Sequence, residues 1–201
     1  MNDEIQRIIS GESEVRYGAA IQAAIGYLRG SKKSGALDKA DKRFKREETE
    51  ELKRYIEARR LWVEGIDLNS YVSEGAEQKV YLKDSRSVIK LNDAIYYLSW
   101  VDYFVSLLLN NYFFPDTAYK LLGFFEHEAL YAVVEQSFIS ATEQTDLKHI
   151  EQFMLSNGFQ KSRNYDYFNP ELGIILEDLH DENVLTRNGV LYFIDTVFYL
   201  K

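Results

Sequence analysis

The segment formed by residues 173–200 constrains the fold most, because it combines apolar runs with a polar loop and a turn. Residues 174–176 are apolar and predict a short buried strand that leads into the loop. An Asn188-Gly189 pair separates apolar residues 184–185 from a second apolar run at 190–194. This pattern is a strong signal of a β-hairpin with a two-residue turn.

Three polar side chains lie at the ends of these elements. Asp178 and Asn183 belong to the loop, and Asp195 follows the last apolar run. We expect the loop and the hairpin to bring them to one point, where their oxygens suit Mg²⁺ and one carboxylate can orient a hydroxyl group. The alternative is a solvated polar turn, because a D-x-x-x-x-N spacing is common on its own.

Composition limits the functional classes. With 24 basic and 32 acidic residues, the formal net charge is −8, which disfavours a nucleic acid partner. Cysteine is absent, which excludes disulfides and thiolate chemistry. The N-terminus lacks the pattern of a signal peptide, and polar residues interrupt the most apolar stretch, 94–114. We therefore expect a soluble, cytoplasmic protein without a membrane segment.

Residues 1–65 are predicted to form a helical arm. Apolar residues recur there at helical spacing, and both prolines of the chain occur later. Residues 30–35 resemble an exposed hinge, and a charged helix over 37–64 is expected to end at Gly65. We favour an arm packed on the rest of the domain; the alternative is an element that binds a protein partner or a second copy.

Residues 66–91 predict three short strands joined by tight connections. Gly75 lies where a strand ends, and its backbone N–H could approach a phosphate, although a glycine there often only permits a turn. Two further strands, at 119–125 and 130–135, predict a five-stranded antiparallel sheet with one inserted helix between its third and fourth strands. A second helix is expected between a cap at Thr145 and residues 157–158.

Lys90 and Asp102 are a candidate ion pair. Lys90 shares a strand face with Val88, where a lysine either extends to water or meets a buried partner. The helix that follows, expected to be capped at Asn92 or Asp93, would place Asp102 in its apolar middle. A carboxylate buried there is costly without a cation, and Lys90 is the nearest one along the chain.

The order of these features resembles the protein-kinase-like superfamily. The matching segments are GAEQKVYL (75–82), VIKL (88–91), VVEQSF (133–138), EDLHDENVL (177–185) and FID (193–195). They are most similar to its atypical branch, which includes aminoglycoside-phosphotransferase-like kinases and the kinase-like domains of phage and mobile-element polyvalent proteins. The resemblance implies a minimal two-lobed α+β fold, with an N-lobe at 66–135 and a C-lobe at 136–201.

The resemblance also implies ATP and Mg²⁺ as ligands. Asp178 would orient the acceptor hydroxyl, Asn183 and Asp195 would hold the metal, and Asp102 would replace a helix glutamate. A further set of residues would contact the nucleotide. Gly75 and Ala76 would cover the phosphates, and Lys90 would bind the α- and β-phosphates. The backbone of Glu135 and Gln136 would contact the adenine.

The sequence also departs from the family pattern. Leu176 stands where the family often has histidine, and Thr196-Val197 replaces the usual Phe-Gly. Lys201 follows Asp195 by six residues, so we expect an abbreviated C-lobe and leave the acceptor open. Three hypotheses remain: an active phosphotransferase, a non-catalytic nucleotide-binding module like a pseudokinase, and a structural adaptor.

Overall fold

The computed structural model describes residues 2–31, 42–74 and 78–201. These residues form the predicted α+β fold with its five-stranded antiparallel sheet, and they contain five α-helices. No helix in these ranges is long and apolar enough to cross a membrane. Most of the predicted hinge, together with Gly75 and Ala76, lies outside the described residues.

Three helices form the N-terminal part: α1 (Asp3–Ser10), α2 (Gly18–Gly30) and α3 (Lys42–Arg59). Their apolar side chains enter the same hydrophobic core as the later elements, and Ile8, Leu52 and Ile56 have no exposed surface. Burial of these stripes agrees with an arm packed on the domain rather than one with an unpaired apolar face.

The end of α3 differs from the prediction. The helix ends at Arg59 rather than Gly65, because Arg60 adopts a left-handed conformation with a φ of 55°. The chain then extends and pairs with Phe124, whose N–H donates to the Leu61 carbonyl at 2.8 Å. Gly123 permits this approach, since a Cβ there would lie 2.3 Å from the Leu61 oxygen.

The five-stranded sheet contains β1 (Tyr71–Glu74), β2 (Gln78–Asp84), β3 (Ser87–Asn92), β4 (Lys120–Glu126) and β5 (Leu130–Ser137). The spatial order is β1-β2-β3-β5-β4, and every pair is antiparallel. Strand β3 therefore lies at the centre of the sheet, which places its middle residues far from either edge.

The inserted helix, α4 (Trp100–Phe113), begins later than predicted, and its N-cap is Ser99. Asn92 and Asp93 do not cap a helix; their side-chain oxygens accept hydrogen bonds from the N–H groups of Ala94 and Ile95 and form turns. Ala94 has a φ of 55°, which is incompatible with a continuing helix.

The C-terminal part begins with α5 (Leu147–Ser156), which Asp146 caps instead of the predicted Thr145. The predicted hairpin is formed by β9 (Val184–Arg187) and β10 (Val190–Phe193), and both turn residues, Asn188 and Gly189, have positive φ. A four-stranded sheet has the order β11-β8-β7-β6, with β6 (Gln160–Lys161), β7 (Tyr167–Asn169), β8 (Ile174–Glu177) and β11 (Val197–Leu200).

Candidate active site

A cleft of about 400 Å³ lies between the five-stranded sheet and the β9–β10 hairpin. Residues two apart on a strand share one face of the sheet, so β2 and β3 contribute alternate side chains to it. Its apolar walls include Val80, Val88, Phe138, Ile139, Leu185 and Ile194, and its polar groups include Gln78, Lys90, Gln136, Asn183 and Asp195. Four of the residues predicted from the sequence therefore meet in one cavity.

Lys90 forms the buried cation of this cleft. Only 4% of its surface is exposed, which excludes the alternative that it extends into water. Its Nζ donates a 2.8 Å hydrogen bond to the Ile194 carbonyl and lies 5.4 Å from the centre of the Tyr119 ring. Burial lowers the pKa of Lys90, and the charge of Asp195 offsets part of this effect.

The predicted ion pair between Lys90 and Asp102 is not formed among the described residues. Asp102 lies in the first turn of α4, where its Oδ2 accepts a 2.7 Å hydrogen bond from the Ser99 hydroxyl. A carboxylate in the first turn is stabilised by the helix dipole. The expectation failed because a helix starting at Asn92 or Asp93 would have put Asp102 in its middle.

The polar loop is held by Asn183. Its Nδ2 donates to the backbone carbonyl of Asp178 at 2.9 Å and to the carboxylate Oδ2 of the same residue at 2.8 Å. Asp178 itself has a φ of 68°, a conformation that aspartate tolerates better than most residues. Its side chain is 59% exposed, so the carboxylate remains accessible from outside the cleft.

His180 supports this carboxylate. Its Nε2 lies 3.3 Å from Asp178 Oδ1, while its Nδ1 accepts a hydrogen bond from the Glu182 backbone N–H. The same Nε2 lies 3.1 Å from Asn183 Nδ2, so His180 contacts both members of the hydrogen bond between Asp178 and Asn183.

Asn183 also connects the loop to Asp195. Its backbone carbonyl oxygen accepts hydrogen bonds from the backbone N–H groups of Ile194 at 2.9 Å and Asp195 at 3.3 Å. The Asp195 carboxylate accepts a hydrogen bond from Gln78 Nε2, which comes from the first residue of β2. Asn183 therefore links the two aspartates that the sequence places 17 residues apart, at positions 178 and 195.

Buried groups hold the chain on both sides of Asp195. The hydroxyl of Tyr119 donates to the Ile194 carbonyl at 2.9 Å, and the Thr196 hydroxyl donates to Asn110 Oδ1 at 2.9 Å. Because Asn110 belongs to α4, this helix fixes the segment that carries the candidate metal ligand.

Two side chains offer oxygen atoms that could hold a metal ion, the carboxylate of Asp195 and the amide of Asn183. The nitrogen of Asn183 is used by Asp178, which leaves Oδ1 for a metal. The described ranges contain no group of three or more acidic, histidine or cysteine side chains suited to a metal. This set fits Mg²⁺, which uses one or two protein carboxylates together with water and phosphate oxygens.

The predicted adenine contacts are only partly brought together. Gln136 lines the cleft, but the Glu135 side chain lies on the other face of the sheet, where it pairs with Lys83 at 2.9 Å. At Glu135 strand β5 is flanked by β3 on one side and β4 on the other, which leaves its backbone within the sheet. The predicted phosphate contacts Gly75 and Ala76 lie outside the described ranges.

Sequence reasoning missed Gln78 and Tyr119. A signal for Gln78 existed, because strand alternation puts it on the face of Val80, and Val80 is the cross-strand neighbour of Lys90. Tyr119 had no comparable signal, since its contact with Ile194 depends on the packing of elements 75 residues apart.

A family model described as serine/threonine/tyrosine kinase found in polyvalent proteins matches residues 45–201. The match begins inside α3 and includes every residue of the cleft described above, so the resemblance inferred from the sequence motifs is confirmed. Searches of the curated proteins and of the solved structures found no match.

Proposed function

The chain belongs to the family of serine/threonine/tyrosine kinases found in polyvalent proteins, and on that premise we propose that it is an ATP- and Mg²⁺-dependent phosphotransferase. The γ-phosphoryl group would pass to a hydroxyl acceptor. The family supports a kinase-like function in general, and the cleft supplies the arguments for the nucleotide, the metal and the residue roles.

One observation carries the proposal: a buried cation and two oxygen ligands suited to Mg²⁺ share a cleft, and Asn183 ties an accessible carboxylate to it. Phosphoryl transfer depends mainly on positioning and on neutralising charge. Lys90 would bind the α- and β-phosphates, and Asn183 and Asp195 would hold Mg²⁺. When bound, Mg²⁺ would supply the positive charge that neutralises the phosphate oxygens.

In the proposed reaction, the acceptor oxygen bonds to the γ-phosphorus while the bond from phosphorus to the β–γ bridging oxygen breaks. ADP is the leaving group, and the proton of the acceptor hydroxyl passes to Asp178. The exposure of the Asp178 side chain, 59%, allows an acceptor to approach from solvent. Asn183 and His180 would keep the carboxylate oriented during this approach.

The apolar walls suit a flat base. Val80 and Val88 come from the sheet, and Leu185 comes from the hairpin, so the base would lie between the two parts. We assign the adenine contacts to Gln136 and to the connector at residues 137–139, rather than to Glu135. From Gln136 onwards, strand β4 no longer flanks the chain, because β4 begins opposite Glu135.

Calorimetric titration with ATP, with and without Mg²⁺, tests the nucleotide site. Wild type should bind ATP more tightly with Mg²⁺, and Asp195→Ala should lose most of that difference. Absence of ATP binding by wild type would contradict the proposal. Turnover is then measured with labelled ATP against candidate hydroxyl acceptors, and Asp178→Ala should lose the transfer, including any autophosphorylation.

The alternative is a non-catalytic nucleotide-binding module. The contact between the Gln78 amide and the Asp195 carboxylate favours it, because this amide occupies an oxygen that a metal could otherwise use. This alternative predicts ATP binding that neither depends on Mg²⁺ nor leads to transfer with any acceptor.

A further inference from the structure

Lys90 lacks the acidic helix residue that its position led us to expect. Among the described residues, its Nζ hydrogen-bonds to the backbone carbonyl of Ile194. We propose that Tyr119 is the positioning residue for Lys90 and acts through this carbonyl and through its own ring. The inference rests on the proposed function, because it concerns how the phosphate-binding lysine is held.

The Ile194 carbonyl is shared between the two side chains. It accepts one hydrogen bond of 2.8 Å from Lys90 Nζ and another of 2.9 Å from the Tyr119 hydroxyl. Two hydrogen bonds match the two lone pairs of a carbonyl oxygen. The ring of Tyr119 also lies 5.4 Å from Nζ, within the range of a cation–π interaction. Tyr119 therefore contacts the lysine directly and fixes its hydrogen-bond acceptor.

Helix α4 fixes Tyr119 in turn. The side-chain amide of Asn111 accepts from the Tyr119 N–H at 2.7 Å and donates to the Tyr119 carbonyl at 2.8 Å. Asn111 is only 1% exposed and Tyr119 only 3%, so neither bond competes with solvent. The inserted helix is thus connected to Lys90 through an amide, a phenol and a carbonyl, which are all neutral groups.

The groups that position Lys90 carry no charge, and this affects how the lysine can bind a ligand. Burial, together with the charge of Asp195, raises the pKa of Tyr119 well above its ordinary value, which keeps the hydroxyl protonated as a donor. The carbonyl and the ring orient the ammonium without a carboxylate of the helix in contact with it. The charge of Lys90 thus remains available for an anionic ligand in the cleft.

The variant Tyr119→Phe keeps the ring and removes only the hydroxyl. Its affinity is measured by calorimetry for Mg²⁺-ATP and separately for adenosine, which lacks phosphates. Loss of one buried hydrogen bond predicts an ATP dissociation constant about fivefold to tenfold higher. Adenosine affinity should fall by less than ATP affinity, because adenosine does not contact Lys90 and loses only the hydrogen bond between Tyr119 and the Gln136 side chain. A merely structural role would weaken both ligands together.

Tyr167→Phe is the matched control, since Tyr167 is a tyrosine of β7 that is only 2% exposed and lies outside the cleft. It should bind both ligands like wild type. In a Lys90→Met background, Tyr119→Phe should have no further effect on ATP affinity, because the residue it positions has been removed.

Two results would overturn the inference: unchanged ATP affinity in Tyr119→Phe, or equal losses for ATP and adenosine. If wild type binds ATP and Lys90→Met does not, either of these two results contradicts only the role of Tyr119 and leaves the proposed function standing. If wild type does not bind ATP, the proposed function itself is wrong.

Discussion

The two sides of the cleft are built differently. On the sheet side, Lys90 is 4% exposed and its acceptor is held by Tyr119 from the core. On the loop side, the Asp178 side chain is 59% exposed and its partners, Asn183 and His180, lie within five residues of it. In the proposed function, the half that would bind the phosphate donor is therefore formed in advance, whereas the half that would receive the acceptor is open.

The largest expected effect is on the open side. Asp178→Asn should lower kcat by about 10²- to 10⁴-fold, the usual contribution of a general base. ATP affinity should remain close to that of wild type, because the amide can still accept from Asn183 and the residue lies outside the cleft wall. Single-turnover transfer and calorimetry measure the two quantities.

Asp181→Asn is the control for this prediction, since Asp181 is an exposed acid of the same loop. It should retain transfer activity. A loss of ATP affinity in Asp178→Asn as large as the loss in kcat would contradict the separation between a donor side and an acceptor side.

The next effect is on the buried side. Lys90→Met should raise the ATP dissociation constant on the order of 100-fold, because hydrogen bonds to a buried charge are among the strong ones. Its Tm should not fall, since an apolar side chain replaces a cation whose burial is costly. Lys83→Met is the matched control, because Lys83 pairs with Glu135 on the opposite face. Equal losses of ATP affinity in both lysine variants would refute this assignment.

A smaller effect concerns the contact that crosses the cleft, from Gln78 to Asp195. Groups that hydrogen-bond a metal-binding carboxylate typically contribute 10- to 100-fold to metal affinity. Gln78→Ala should therefore shift the Mg²⁺ dependence of ATP binding to concentrations about tenfold higher or more. Calorimetry at a series of Mg²⁺ concentrations measures the shift, and Gln160→Ala, on the exposed strand β6, is the control.

Tighter Mg²⁺ binding in Gln78→Ala would reverse the interpretation of this contact. The glutamine would then compete with the metal for the Asp195 carboxylate instead of orienting it. That outcome would favour the non-catalytic alternative.

The sequence predicted those strands and turns of the site that depend on the order of residues within one segment. Alternation placed Lys90 on the strand face that also carries Val88, and the Asn188-Gly189 pair identified the hairpin that leads to Asp195. The errors arose where tertiary contacts decide. Asx turns at Asn92 and Asp93 move the start of α4 to a later residue than predicted. The predicted ion pair between Lys90 and Asp102 was wrong for the same reason.

The missed strand β11 has a similar cause. Residues 197–200 are apolar and follow Asp195 and Thr196, and their pairing with β8 identifies them as a separate strand. The hydrogen bond between Tyr119 and Ile194 likewise depends on this packing, which no local pattern encodes. The candidate site was thus predictable in its residue types and incomplete in the residues that position them.

The smallest expected effect is a pH dependence of stability that arises from Lys90 on the buried side of the cleft and not from Asp178 on the open side. Burial lowers the pKa of Lys90 below 10.5, its ordinary value. Between the lowered pKa and 10.5, the unfolded chain binds more protons at this site than the folded chain, so the free energy of unfolding rises with pH. Below this window Lys90 is charged in both states, and the cost of its burial is fully present.

Thermal unfolding of wild type and Lys90→Met over an alkaline pH series tests this consequence. The Tm of wild type should rise relative to the variant as pH approaches 10.5, by on the order of a few degrees. Other groups titrate equally in both proteins and cancel in the difference. Asp178→Asn keeps Lys90 and should follow wild type. A parallel pH dependence of wild type and Lys90→Met would show that the lysine is not desolvated, and the contrast between the two sides of the cleft would disappear.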